Sequence, residues 1–239
     1  MDLGLTDRVY LVTGASRGLG RAVAEVLVAE GARVVLSARS QEAVEVAAAE
    51  LGERAVGVAA DNADPGTPER LVAAARERWG RLDGALVSVG GPALGGVLEI
   101  TDEQWSTAFD SVFLGAVRLG RVLAGELGEG GSIVFVLSTS VRVPLPNLAV
   151  SNGLRPGLAM VAKSLADDLA PRGVRVNGLL PGAIRTERLA ELGSPPPEPV
   201  GRYGEPAEFG RAAAFLLSPA ASYVSGAMLP VDGGALRAL

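Results

Sequence analysis

Read for apolar and polar positions, the chain switches repeatedly between two periods. Short runs that are almost continuously apolar, RVYLVTG (8–14), RVVLSA (33–38), AVGVAA (55–60), GALVSVG (84–90), SIVFVLS (132–138), RVNGLL (175–180) and AMLPVDG (227–233), predict seven strands. Such runs suit strands buried on both faces of a parallel sheet. Between them, apolar residues at helical spacing predict helices over 20–31, 41–52, 68–80, 102–127, 157–170 and 207–218. Strands alternating with helices of this length build right-handed βαβ units. The expected fold is therefore α/β, a doubly wound seven-stranded parallel sheet with helices on both faces, as one domain over 1–239. One segment breaks the pattern. Pro195, Pro196, Pro197 and Pro199 exclude ordinary helix and central strand from 187–200, so 187–203 reads as a short substrate loop.

Composition narrows the chemistry. Of 239 residues 48% are hydrophobic, ample for a core, yet no apolar run is long enough to span a bilayer. The opening MDLGLTDRVY lacks the layout of a signal peptide, so a cytoplasmic protein without a membrane partner is expected. There is no cysteine and no histidine, which removes thiol chemistry, the commonest general base and the commonest metal ligands; no metal site is expected. A net charge of −5 without a basic block argues against a nucleic-acid partner.

The first predicted strand runs into TGASRGLG, Thr13 to Gly20, and then into a helix. Gly14, Gly18 and Gly20 permit a tight turn and a close approach of backbone to a pyrophosphate at a helix amino end, the Rossmann-type arrangement. Thr13, Ser16, Arg17 and Leu19 complete this candidate cofactor loop; an ordinary βα turn is the plainer reading of the same glycines. Strands that bind NAD commonly end the second βα unit's strand with an acid for the ribose. Here the segment is VVLSARS, with Ala38 and Arg39 at that point. Arg39 with Arg17 forms a candidate clamp for a 2′-phosphate, which favours NADP, with NAD as the alternative.

With these residues in place the chain resembles the short-chain dehydrogenase/reductase family, nearest in general character to its 3-oxoacyl carrier-protein reductases. The likeness rests on Thr13-Gly14-x-x-x-Gly18-x-Gly20, on RVNGLLPGAIRTE (175–187) and on LLSPAASYVSGAMLPVDGG (216–234). It implies that Asp61 and Asn62 hold the adenine, that Ser88 and Gly90 belong to the cofactor strand, and that Pro181, Gly182, Ile184 and Thr186 lie along the nicotinamide. It further implies a working set of asparagine, serine, tyrosine and lysine. In this chain Ser138 stands at the serine position, Ser151 at that of tyrosine, Arg155 at that of lysine and Val112 at that of asparagine.

Ser138, Ser151 and Arg155 are thus the candidate catalytic residues, with Arg155 also a cofactor clamp. An aliphatic hydroxyl is a far weaker acid than a phenol, and a guanidinium stays protonated. Cofactor binding retained, with ordinary proton transfer weakened or rerouted through water, is the expected division of labour. SNGLRPG (151–157) reads as a polar turn at a helix mouth, with Pro156 in the first helical turn. The implied function is an NADP-dependent oxidoreductase acting between a small-molecule carbonyl and alcohol. The alternatives are a dinucleotide-binding protein without turnover and non-redox chemistry on the same fold. The resemblance also implies a homo-oligomer, a dimer or tetramer.

Overall fold

The computed structural model describes residues 2–193, 195–197 and 199–237. Met1, Ala238 and Leu239 of the predicted domain, and Ser194 and Glu198 of the predicted loop, lie outside the described residues. Seven parallel strands form one sheet in the order β3-β2-β1-β4-β5-β6-β7. They are β1 (Val9–Val12), β2 (Arg33–Ala38), β3 (Ala55–Ala59), β4 (Gly84–Val87), β5 (Ser132–Val136), β6 (Arg175–Pro181) and β7 (Met228–Val231). β1, β4 and β5 stop two or three residues short of the apolar runs that predict them. The missing residues have left the ladder to form loops at the strands' carboxyl ends.

Eight helices complete the fold among the described residues: α1 (Gly18–Ala29), α2 (Gln41–Leu51), α3 (Thr67–Trp79), α4 (Asp102–Ala108), α5 (Gly115–Glu126), α6 (Ala149–Leu169), α7 (Glu187–Leu192) and α8 (Pro206–Leu217). One apolar layer buries Leu71, Leu119, Phe135 and Leu158 under α3, α5 and α6. The other buries Tyr10, Leu27, Leu36 and Phe209 under α1, α2 and α8. Each such side chain contributes roughly 1.5–3 kcal/mol by leaving water. α1 and α8 touch along their length, and a Cβ on Gly210 would stand 2.8 Å from the Ala22 carbonyl.

Beneath the sheet, the end of α8 is closed by polar groups from three strands. Arg175 Nη1 donates to Leu216 O at 2.7 Å and Nη2 to Ser218 O at 2.9 Å. Ser132 Oγ donates to Leu216 O at 3.0 Å and the Tyr10 hydroxyl to Leu217 O at 3.4 Å. Carbonyls that a helix end leaves without partners thereby receive donors, one of them cationic.

Two helical expectations and one loop expectation need correction. The predicted helix over 102–127 is α4, a wider π-type turn at Phe109–Leu114, and α5. The turn brings Gly115 so close to the Asn62 carbonyl that no Cβ would fit. The helix expected from 157 begins at Ala149, placing Ser151 and Arg155 inside α6 and Pro156 in its interior, not its first turn. Packing overrides the breakers: Ala149 N donates to Gly95 O at 3.1 Å, and a Cβ on Gly153 would lie 2.8 Å from the Trp105 ring. The segment 187–200 is not wholly loop. Thr186 caps α7, accepting from Leu189 N at 3.3 Å, and left-handed Gly193 ends it before the prolines begin.

Candidate active site

Strand order reverses between β1 and β4, and a doubly wound sheet opens its binding crevice outside the carboxyl ends at that point. The loop after β1 holds Gly14 and Gly18 at φ 61° and 59°, backbone that disfavours any side chain. A Cβ on Gly20 would strike the Gly14 carbonyl, so α1 starts in contact with the turn beneath it. Arg17 is the N-cap of α1 but gives no side-chain capping bond, and no acidic residue occupies the first turn. Ser16 and Leu19 are half-buried beside it. The amino end of α1 therefore presents free N–H groups and a positive dipole end outward. The Arg17 guanidinium is ion-paired with Glu187 of α7, while Arg39 is exposed at the end of β2.

Thr13, Asn62 and Ser88 knit the floor. Thr13 Oγ1 donates to Ser88 O at 2.6 Å and accepts from Ser88 N at 2.8 Å; Asn62 Nδ2 donates to the same carbonyl at 3.4 Å. Asp61 is exposed and turned onto its own loop, accepting from Ala63 N at 2.9 Å. Gly90 is exposed with open space about it. Across the crevice Pro181 ends β6, and Gly182 donates to Val231 O at 3.0 Å where a Cβ would meet Asp232. Ile184 is buried and bridges to Gly204, and Thr186 brings its methyl over Gly18.

Two of the three candidate catalytic groups, Ser138 and Ser151, meet through a fourth residue, while Arg155 stands apart from that link. Ser138 Oγ accepts from Ser140 N at 3.0 Å. The Ser140 hydroxyl pairs with the Ser151 hydroxyl at 3.1 Å and reaches Ser151 O at 3.3 Å. Ser138 and Ser151 are thus linked by Ser140, not bonded to each other; both Ser140 and Ser151 are buried. Arg155, one turn further along α6, is 5% exposed. Its Nη1 donates to the Val136 carbonyl at the end of β5, and its Nε is buried without a hydrogen-bond partner. No carboxylate offsets the charge among the described residues, and burial alone lowers its pKa to about 10, so it remains a cation at neutral pH. Val112 is buried in the π-type turn and brings no polar group to this cluster.

A glycine turn at the switch point, an uncapped helix and hydroxyl groups at the end of β5 are the setting in which relatives become informative. A family model described as enoyl-(acyl carrier protein) reductase matches residues 14–235. The chain is 32% identical to a 3-oxoacyl-[acyl-carrier-protein] reductase from Vibrio cholerae, covering 97% of this chain and 98% of that protein. The chain belongs to the short-chain dehydrogenase/reductase family. Among solved structures of short-chain dehydrogenases/reductases, it is similar to L-sorbose reductase from Gluconobacter frateurii, complexed with NADPH and L-sorbose. The TM-score is 0.93 at 30% identity over the whole of both chains. It is also similar, at TM-score 0.91 and 28% identity over 99% of this chain and 100% of that one, to a Pseudomonas aeruginosa short-chain oxidoreductase. That protein is described as containing an atypical catalytic centre.

Sequence reasoning missed three residues of this short-chain dehydrogenase/reductase. Ser140 was legible only as part of the hydroxyl run Ser138-Thr139-Ser140. Glu187 and Arg188 were hidden in a segment read as loop; Arg188 Nη2 donates to Pro92 O at 2.7 Å and so ties α7 to the loop after β4. Among the described residues no helix is long and apolar enough to cross a membrane.

Proposed function

We propose that this protein is an NADP-dependent oxidoreductase that works on a carbonyl or alcohol group with hydroxyls and a guanidinium in place of a tyrosine–lysine pair. The observation that carries the reading is the amino end of α1. It is uncapped, without an acid in its first turn, and follows a tight turn in which Gly14 and Gly18 take left-handed backbone and Gly20 packs against the Gly14 carbonyl, an arrangement suited to a pyrophosphate. The residues fit the cofactor: Gly14 to Gly20 for the pyrophosphate, Asp61 and Asn62 for the adenine end, Pro181 to Thr186 beside the nicotinamide. The absence of an acid after β2, with Arg39 in its place, supports NADP over NAD.

When bound, the nicotinamide supplies hydride to the carbonyl carbon. The chain's own groups manage the oxygen. Ser138 already accepts from Ser140 N, which leaves its O–H to donate to the substrate oxygen. Arg155 provides fixed positive charge at the end of β5, where it favours negative charge developing on the oxygen. The proton comes from water, because neither serine nor arginine has a pKa suited to give it up at neutral pH.

One observation favours a second reading, a dinucleotide-binding protein without turnover: Ser151 is buried and committed to Ser140. Calorimetric titration with NADPH and NADH, on the wild type and on Arg155→Ala, tests both. Micromolar NADPH binding that weakens about tenfold in the variant, the loss of one charge-assisted bond, supports the clamp. NADPH oxidation over a carbonyl panel then separates enzyme from binder. Absence of micromolar binding by either nucleotide overturns both readings.

A further inference from the structure

The two arginines expected to grip a 2′-phosphate are not equivalent in the folded chain. Arg39 has no carboxylate partner among the described residues, whereas Arg17 is ion-paired with Glu187. Glu187 is the first residue of α7, directly after Thr186, whose methyl carbon would lie 3.9 Å from a Cβ on Gly18. The lid helix thus begins on top of the glycine turn, and one of its tethers is a cofactor-loop guanidinium.

We propose that Glu187 is a specificity-determining residue: it withholds Arg17 from the 2′-phosphate, so coenzyme choice and anchoring of α7 draw on the same guanidinium. The inference rests on the reading that the crevice binds a nicotinamide dinucleotide. Arg17 and Glu187 have side chains 68% and 66% exposed, so their pair is weak and readily exchanged. A phosphate carrying close to two negative charges outcompetes one carboxylate for a guanidinium fork. Glu187, once released, returns to water. NADH makes no such demand and leaves the pair intact.

The lid keeps a second, independent tether. Arg188 Nη2 donates to Pro92 O at 2.7 Å and Nη1 to Glu191 at 2.7 Å. Its guanidinium occupies the space a side chain at Gly91 would fill, with Nε 2.6 Å from that Cβ position. NADPH therefore frees the amino end of α7 from the glycine turn without detaching it from the loop after β4. NADH leaves both tethers in place.

The test compares wild type, Glu187→Gln and Arg188→Ala in titrations with NADPH and NADH, with hydrogen exchange of the backbone amides of 187–193 under each nucleotide. Glu187→Gln is expected to tighten NADPH about 2–5-fold, the value of an exposed ion pair, with NADH changed less than twofold. Exchange in wild type is expected to be faster with NADPH than with NADH, a difference that vanishes in Glu187→Gln. Arg188→Ala is expected to speed exchange equally with both nucleotides and to keep the affinity ratio. An unchanged or lowered NADPH preference in Glu187→Gln overturns the inference, as does an equal shift of the ratio in Arg188→Ala. In those cases nucleotide binding by the wild type leaves the functional reading standing; a wild type that binds neither nucleotide removes both.

Discussion

Among the described residues two arginines are buried without a carboxylate, and their surroundings differ in kind. Arg175, 7% exposed, donates to Leu216, Ser218 and their neighbours and closes the carboxyl end of α8. Arg155, 5% exposed, donates to Val136 alone and leaves Nε unpaired. Burial lowers the pKa of both. A buried guanidinium whose donors are used is part of the framework. One with a donor left over costs stability, because a desolvated N–H goes without a partner.

The sharpest way to break this contrast is Arg175→Met. Removing it strands the Ser218 carbonyl and leaves Leu216 and Leu217 to Ser132 and Tyr10, with an expected loss of about 2–3 kcal/mol in denaturant unfolding. NADPH affinity should be unchanged. Arg155→Met should move stability the other way, by about 1–2 kcal/mol upward at pH 7, because an unpaired buried charge gives way to a thioether. Equal destabilisation by the two variants would erase the distinction.

The Arg155 effect has a pH signature. The folded chain releases this proton from about 10, the unfolded chain only at the higher, ordinary arginine value. Between those values the unfolded state holds more protons, so wild-type stability gains on Arg155→Met as pH rises above about 10. Below about 10 the penalty is fully present. Unfolding midpoints at pH 9 and 11 check the sign.

The smallest effect belongs to Ser140→Ala. Losing one buried hydroxyl pairing should cost about 1 kcal/mol in thermal unfolding. With a carbonyl substrate kcat should fall more than KM rises, since the Ser140 hydroxyl orients that of Ser151, while the backbone bond from Ser140 N to Ser138 survives the substitution. A change confined to stability would make Ser140 a packing residue only.

The sheet was legible because parallel strands buried on both faces must be apolar throughout, and because TGASRGLG can occupy few other settings. The start of α6 was not. Gly153 and Pro156 carry local signals for a break, and only the Trp105 ring and the Gly95 carbonyl, distant in sequence, reveal that the helix runs through them. The prolines at 195–199 likewise masked α7, whose own signals, Thr186 at its start and Gly193 at its end, lie just before them. Ser138, Ser151 and Arg155 are candidates by position alone, and that Ser140 joins the serines depends on how the loop after β5 folds back on α6. The unpaired Nε of Arg155 is a property of burial, and no spacing encodes it.

The wide turn at Phe109–Leu114 makes residue number itself a sensitive variable. On one side Trp105 is keyed into the gap at Gly153; on the other Gly115 is keyed against Asn62. An α-helix advances about 100° per residue. Deleting any one residue of the turn would tighten it to regular helix and rotate one key out of its slot. Substitutions within 109–114 should therefore be absorbed far more easily than a single deletion, and relatives that lack the extra residue must dock α4 or α5 in a different phase.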